Sequence, residues 1–417
     1  MNSYIRKTCR LCLGNDLVLA VPIKDSPVGD AFITKENLLI PQPSYSLNLY
    51  LCQTCAHVQL LTVVNPKILF GDYIYRTSTS YELVQHFKNY ANEVINLIQP
   101  EGRLAVEIGS NDGTFLKFLK EKKMHVLGVD PANTIAAEAT KEGVETWPTF
   151  FSQEVSKQIK EKNGETEIIV ANNVFAHADD MIDVLRGIYH LLSPEGIFVF
   201  EVSYLLDIIQ KKLFDTVFHE HLSYYSVLSL ENFFNSHEMQ LFDVQRISSK
   251  GGSLRGFAKK KTSSRVVSPI VSKLIDDEKN IGLNKIKIFK DFSDDLNRIE
   301  KALKKQLDKL KEKDKTLVGY GASPTVTTFM YQFELGPYLE FIVDDNPIKQ
   351  GRHSPGYHIP ILPSSMLYQK KPDYVIILAW QYWEVIIEKN KKYLEQGGKF
   401  IVPFPELIVH EFHEATI

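Results

Sequence analysis

No apolar run in this 417-residue chain approaches the roughly 20 residues that a membrane-spanning helix needs. The stretch from Met1 to Lys7 reaches a cysteine before an apolar signal core can form, so a cytoplasmic protein without a membrane partner is expected. Charge of one sign is scarce too. Lysine and arginine number 48 against 51 aspartates and glutamates, a formal net charge of −3, which leaves no basic excess to follow a nucleic-acid backbone. No G-x-G-x-x-G follows the first strand of the parallel-sheet pattern, so nothing there demands a dinucleotide pyrophosphate. Cysteine is scarce as well, with 4 in the chain. What is present is an ordinary globular mixture, 44% hydrophobic and 24% charged, of a length that suggests roughly two to four domains.

The few cysteines are not scattered. They form two C-x2-C knuckles, Cys9 with Cys12 and Cys52 with Cys55, the arrangement in which two pairs of thiolates grip one tetrahedral zinc ion. Four thiolates close the coordination sphere, so the ion is expected to be structural rather than catalytic. His57, beside the second knuckle, is a substitute ligand, although a lone histidine in that position is more often packing.

Residues 1–70 therefore read as a zinc-binding module, with strand-like runs at Leu17–Val21, Tyr45–Leu51 and His57–Val63 between prolines. From about residue 80 the pattern changes to alternating strand and helix. Apolar runs at Leu104–Ile108, His125–Val129, Glu167–Val170 and Ile197–Glu201 are separated by helical periodicity such as Tyr81–Leu97 and Met181–Leu192, the rhythm of a parallel α/β sheet. Leu241–Ser248 and Gly252–Lys259 flank Ser249-Lys250-Gly251 as a hairpin. The domain so outlined spans 71–262. A charged helical stretch over 263–315 reads as a solvated linker. A second, smaller doubly wound domain follows over 316–417, with strands at Thr316–Tyr320, Leu339–Asp345 and Tyr374–Ala379.

The chemistry-bearing run is Val106-Glu107-Ile108-Gly109-Ser110-Asn111-Asp112-Gly113. It is a strand ending in an acid and a glycine turn that opens a helix, a geometry that offers backbone N–H groups to a ligand. The next strand ends at Asp130, where a carboxylate accepts from both ribose hydroxyls. A nucleoside without a pyrophosphate fits, and S-adenosylmethionine suits the pattern better than a nicotinamide dinucleotide.

Taken together, the C-x2-C pairs, Tyr73-Ile74-Tyr75, VEIGSNDG, Asn172-Asn173-Val174-Phe175-Ala176-His177, Phe218-His219-Glu220-His221 with the following LSYYS, GGSLR, GYGAS and VDDNP resemble the three-domain sugar C-methyltransferases. These act on nucleotide-linked keto-deoxysugars. The resemblance implies a zinc module, a central class I methyltransferase domain of Rossmann-like fold, and a smaller Rossmann-like C-terminal domain that helps hold the nucleotide-sugar. It makes Glu107, Gly109, Asn111, Gly113, Asp130 and Asn173 donor-site residues. His221 falls where the family has its general base, with His177, Glu220 and Tyr75 at further active-site positions; Tyr73 is an equally aromatic neighbour of Tyr75. One departure stands out. The family commonly has tyrosine before HEH, where this chain has Phe218, so a hydroxyl near the reacting centre is absent.

The implied reaction explains the residue types. A carbon becomes nucleophilic only when a proton α to a carbonyl is removed, so methylation at C3 of a 4-keto sugar needs a base and donors for the enolate oxygen. A histidine near its ordinary pKa of about 6.5 is available as that base, and His177 or Tyr75 can donate to the enolate. Lys250 and Arg255 are candidates to neutralise a diphosphate, with a solvated surface the plainer reading of Lys250. The GYGAS glycines either serve a tight turn or bind. An O- or N-methyltransferase and a non-catalytic ligand-sensing scaffold are the competing readings. A monomer or small homo-oligomer is expected.

Overall fold

The computed structural model describes residues 2–70, 76–98 and 101–412. The chain divides into two compact units. The first comprises Met1–Val18, Tyr50–Asp207 and Glu220–Ile286; the second comprises Leu19–Leu49, Ile208–His219 and Lys287–Ile417. Among the described residues, no helix is long and apolar enough to cross a membrane.

The first unit carries the strands β1 (Val58–Leu60), β2 (Leu104–Ile108), β3 (His125–Val129), β4 (Thr146–Trp147), β5 (Thr166–Asn172), β6 (Leu192–Ser203), β7 (Ser223–Tyr224), β8 (Met239–Ile247) and β9 (Ser253–Lys260). Seven of them form one sheet in the order β8-β9-β6-β5-β2-β3-β4. The run from β6 to β4 is parallel, whereas β9 lies antiparallel between β6 and β8. The hairpin expected around Ser249–Gly251 is thus present. The strands of the sheet's centre are buried almost throughout, which explains their near-continuous apolar sequence. On one face, helices α1 (Tyr81–Ile95) and α2 (Thr114–Glu121) bring Phe87, Tyr90, Phe115 and Leu116 onto Ala105, Ile168, Val170, Ile197 and Val199. Each fully buried large apolar side chain contributes roughly 1.5–3 kcal/mol.

Register brings the carboxyl ends of the central strands side by side. Glu107 pairs with Val170, Ile108 with Val129 and Ala171, and Glu201 with Asn172. The chain leaves β2 through a left-handed turn in which Gly109 (φ 67°), Asn111 (φ 48°) and Gly113 (φ 72°) have positive φ. Gly113 is the residue before α2. Leaving β5, Asn173 also turns left-handed, at φ 57°, and its N–H donates to the Glu201 carbonyl at 2.8 Å.

The second unit holds a six-stranded sheet. Its strands are β10 (Leu317–Tyr320), β11 (Ile342–Val343), β12 (Ile361–Leu362), β13 (Tyr374–Ile377), β14 (Lys399–Val402) and β15 (Ile408–His410), ordered β12-β11-β10-β13-β14-β15. All pair in parallel except the last, β15 on β14. The charged stretch read as a helical linker is helical, and differs from a solvated one only in how much of it is buried. It forms two helices, α3 (Pro269–Asn280) and α4 (Ile286–Lys311), and α4 buries Phe289, Phe292, Leu296, Ile299, Leu303, Leu307 and Leu310. Steps of three and four residues place these side chains on one stripe, and the charges lie on the rest of the helix. The GYGAS turn has a structural use. Gly319 sits where a Cβ would meet Leu378 Cδ1 at 2.5 Å, Gly321 adopts φ 101°, and the Ala322 N–H donates to Asp344 at 2.7 Å.

Gly109 shows how tightly the turn after β2 is built, since a Cβ there would lie 2.5 Å from Val174 Cγ1 in addition to the positive φ. Gly109→Ala is therefore expected to lower stability by about 1–3 kcal/mol, the usual cost of overpacking a close contact, and chemical denaturation will read it. A midpoint equal to wild type would show that the turn relaxes freely.

Candidate active site

The four cysteine sulfurs all lie within 4.8 Å of one another, with Cys9 and Cys55 Sγ 3.5 Å apart and Cys12 and Cys52 Sγ 3.6 Å apart. Tetrahedral zinc–sulfur bonds of about 2.3 Å require sulfurs about 3.8 Å apart. The fit is close. Four thiolates packed this way repel one another unless a cation sits among them, and with all four positions filled by sulfur none is left for substrate. His57 is not part of the group. It is buried, its Nε2 lies 3.1 Å from Ser223 Oγ, and its ring packs on Tyr225 at 5.4 Å.

At the carboxyl edge of the first unit's sheet, the expected donor-site residues gather. Glu107 is buried and accepts from Asn172 Nδ2 at 3.0 Å. Burial pushes its pKa well up; the Asn172 bond opposes this, while the charges of Asp112 and Asp130 add to it. Glu107 Oε2 and Asn172 Oδ1 are buried without a hydrogen-bond partner among the described residues, and such orphaned acceptors mark a place where a bound polar group belongs. Asp130 accepts from the N–H of Asn111 at 2.8 Å and of Ala132 at 2.9 Å. Its pKa is raised by burial, against the pull of those two bonds. Asn111 Oδ1 in turn accepts from Thr77 N–H at 3.0 Å, and Asp112 from Ser78 N–H at 2.9 Å.

His177, in the loop after β5, and His221 are brought together. Their rings stack with centroids 5.2 Å apart and planes at 29°. The Phe70 ring also stacks on His177, at 5.9 Å, and Tyr224 meets His221 edge-on at 6.5 Å. Burial holds the His177 pKa well below the ordinary histidine value, and the positive neighbours His221 and Lys250 push it the same way. His177 is thus a neutral imidazole whose buried Nε2 has no hydrogen-bond partner among the described residues. Glu220 is buried. Its charge and that of Glu201 favour the Lys250 ammonium, although crowding by protein lowers the Lys250 pKa overall; the side chain keeps solvent contact. Tyr75 and its rival Tyr73 lie outside the described residues.

Two motif residues go elsewhere. Arg255, a candidate for a diphosphate, is buried and committed: its Nε donates to Glu201 at 2.8 Å, its Nη1 meets Glu93, and its guanidinium lies 3.7 Å from the Tyr90 ring centroid. His86 Nε2 lies 2.9 Å from the same Glu201 carboxylate. His219, the first histidine of HEH, belongs to the second unit, where it is buried with its Nε2–H donating to the Tyr45 carbonyl at 3.2 Å. Sequence reading missed the Glu201–Arg255–His86 network, because its members come from three separated segments and only Arg255 lies in a motif.

Comparison with known proteins settles the class of the chain. Residues 9–70 match a zinc binding domain family, 81–241 a methyltransferase domain family and 248–405 the C-methyltransferase C-terminal domain family. The C-methyltransferase NovU of Streptomyces niveus is 33% identical over 400 residues, covering 95% of each chain. The chain belongs to the C-methyltransferase family. It is an S-adenosylmethionine-dependent C-methyltransferase with a four-cysteine zinc-binding site. Magnesium protoporphyrin IX methyltransferase from Synechocystis PCC 6803 superposes with a TM-score of 0.34 at 11% identity, over 46% of this chain and 91% of that one. A protein of Pyrococcus horikoshii OT3 gives 0.37 at 11% identity, over 46% of this chain and 99% of that one. These partial superpositions carry no functional argument.

The methyltransferase should bind one zinc per chain, measurable by elemental analysis. Cys52→Ser should lose the metal together with much of the thermal stability, because closed zinc sites contribute directly to folding. A zinc-free protein with wild-type stability would contradict the structural role. His219 gives a second test. Burial draws its pKa down to about 4, against the opposing Tyr45 carbonyl and Asp25, so the unfolded chain takes up a proton below about 6.5 while the native protein does not. The His219 contribution to stability is therefore complete above pH 6.5 and falls toward pH 4 by up to about 1.4 kcal/mol per pH unit. Comparison of wild type with His219→Gln across this window should show that slope, and parallel curves would refute it.

Proposed function

We propose that the protein transfers the methyl group of S-adenosylmethionine to C3, the carbon α to the ketone, of a nucleoside-diphosphate 4-keto-deoxysugar, as a cytoplasmic enzyme of deoxysugar biosynthesis. The cofactor supplies an electrophilic methyl on a sulfonium centre. The chain's part is to create the nucleophile. His221 takes the α proton, and the neutral His177 and Tyr75 present donors to the enolate oxygen; Glu220 favours the charged form of the histidine that receives the proton. Glu107, Gly109, Asn111, Gly113, Asp130 and Asn173 hold the donor, with Asp130 on the ribose. In this reading residues 1–70 form the zinc module, 71–262 the methyl-donor domain, 263–315 the connecting helices and 316–417 a domain that helps hold the nucleotide.

The observation that supports this assignment above the others is the stacked pair of imidazoles, His177 and His221, in a family whose name specifies methylation at carbon. Transfer to oxygen or nitrogen needs no carbon acid to be ionised, and a neutral imidazole beside a second histidine is the equipment for ionising one.

A panel of nucleoside-diphosphate 4-keto-6-deoxyhexoses, deuterated at C3 and offered with methyl-labelled donor, tests the reading. Wild-type enzyme should add one methyl at carbon and release deuterium to water. His221→Asn should keep donor affinity by calorimetry and lose about 10²–10⁴-fold in turnover, the usual contribution of a general base. Unimpaired deuterium release in the variant would move the base elsewhere, and methylation at oxygen would end the proposal.

A further inference from the structure

Arg10 lies between the first two zinc-ligating cysteines, and its side chain is fully buried at 0% exposure. An arginine is seldom hidden so completely without partners for its charge. Here Nη1 donates to Gln59 Oε1 at 3.0 Å, to the Leu60 carbonyl, and at 3.4 Å to the Leu222 carbonyl. Nε faces Asp179 Oδ1 at 2.9 Å in an ion pair, while Nη2 has no hydrogen-bond partner among the described residues, so the guanidinium is held through Nη1 and by charge. Leu222 is the residue after His221, and Asp179 lies two residues after His177. The same two segments are joined by backbone: Leu222 N–H donates to the Ala176 carbonyl at 2.9 Å and Ser223 N–H at 3.2 Å. One guanidinium therefore spans the zinc knuckle, the segment carrying His221 and the loop carrying His177.

We infer that Arg10 is a positioning residue, which uses the zinc knuckle as a fixed base to hold the His177 and His221 rings in their stacked geometry. This rests on the roles proposed above for the two histidines. The guanidinium is suited to the task for a physical reason. Lysine offers a single ammonium that can follow one acceptor, whereas the planar fork addresses a carbonyl and a carboxylate at once in fixed directions. Asp179 is also held by Arg6 Nη1 at 3.0 Å and by the Tyr4 hydroxyl, so it stays in place as an anchor. His57 Nε2 beside Ser223 Oγ, and the pairing of β7 with β1, fasten the far side of the His221 segment to the same module.

The test compares zinc-loaded wild type with Arg10→Met, Arg10→Lys and Asp179→Asn. Elemental analysis first confirms one zinc in each, and donor affinity by calorimetry should stay within about twofold. Ring-to-ring nuclear Overhauser contacts between His177 and His221, observed in histidine-labelled protein, should be lost in Arg10→Met and weakened in Arg10→Lys. On the best substrate of the keto-sugar panel, kcat should fall by about 10–100-fold with KM little changed, since a displacement of about 1 Å carries such a cost. Should Arg10→Met fail to fold, Asp179→Asn, which keeps the buried arginine, carries the same expectation in smaller measure. Intact ring contacts in zinc-loaded Arg10→Met, or in Asp179→Asn if the former does not fold, would overturn the inference. So would activity that falls only in step with zinc content. If wild type methylates no keto-sugar, the proposed function fails, while the ring contacts still decide the part played by Arg10.

Discussion

The hydrogen bond from Leu222 N–H to the Ala176 carbonyl is the constraint on which the candidate site depends. His177 and His221 lie on segments with no reason in local sequence to meet, and their stacking contributes little on its own. Backbone pairing fixes them more firmly. Leu60 N–H donates to the Leu222 carbonyl at 3.0 Å, so the residue beside His221 is held on one side by the loop after β5 and on the other by β1. The site's geometry thus follows from main-chain hydrogen bonds, which any side chains can accompany, while its chemistry follows from which side chains stand on them.

Electrostatics then divides the carboxyl edge into two regions. Glu201 and Arg255 meet at 2.7 Å, both nearly inaccessible, with Tyr90, His86 and Glu93 around them. Such a pair offsets its own desolvation only when nearly every polar atom is matched; His86, Glu93 and Gln245 supply polar partners, and the Tyr90 ring face covers the guanidinium. The histidine pair is treated differently. His177 is kept uncharged by burial and by positive neighbours, so it remains a neutral donor or acceptor across the physiological range. Glu107, buried and pushed up in pKa, is likewise disposed to hold a proton beside the turn after β2.

Much of the architecture was legible because it depends on local periodicity. The strands ending at Ile108, Val129 and Asn172 announced themselves as apolar runs, and the cysteine knuckles announced a metal. The helix over Ile286–Lys311 was legible but its burial was not: its charged residues dominate the composition, whereas burial depends only on the positions of Phe289, Leu296, Leu303 and the others at helical spacing. Arg10 could not be read at all. An arginine inside a knuckle has the same appearance in sequence whether it faces solvent or clamps two distant loops, and only the tertiary fold distinguishes the two. His219 shows the converse, because it stands beside Glu220 and His221 in one three-residue motif, HEH, yet it packs on Tyr45.

The placement of zinc follows from how little regular structure supports the His221 segment. β7 spans two residues and pairs with β1 as the edge strand of a four-stranded sheet, and so short an edge ladder contributes little on its own. Held only by that ladder, the segment would open at small cost, and His221, in the role proposed for it, would lose the alignment on which proton transfer depends. A closed tetrathiolate centre is rigid and has no tendency to enter the reaction. It fixes Cys52 and Cys55 immediately before β1, and Cys9 and Cys12 on either side of Arg10. The ion can therefore bear on the reacting geometry without touching a reacting atom, through a chain of contacts that runs from sulfur to the Arg10 backbone, from its guanidinium to the Leu222 carbonyl, and from there to the neighbouring imidazole.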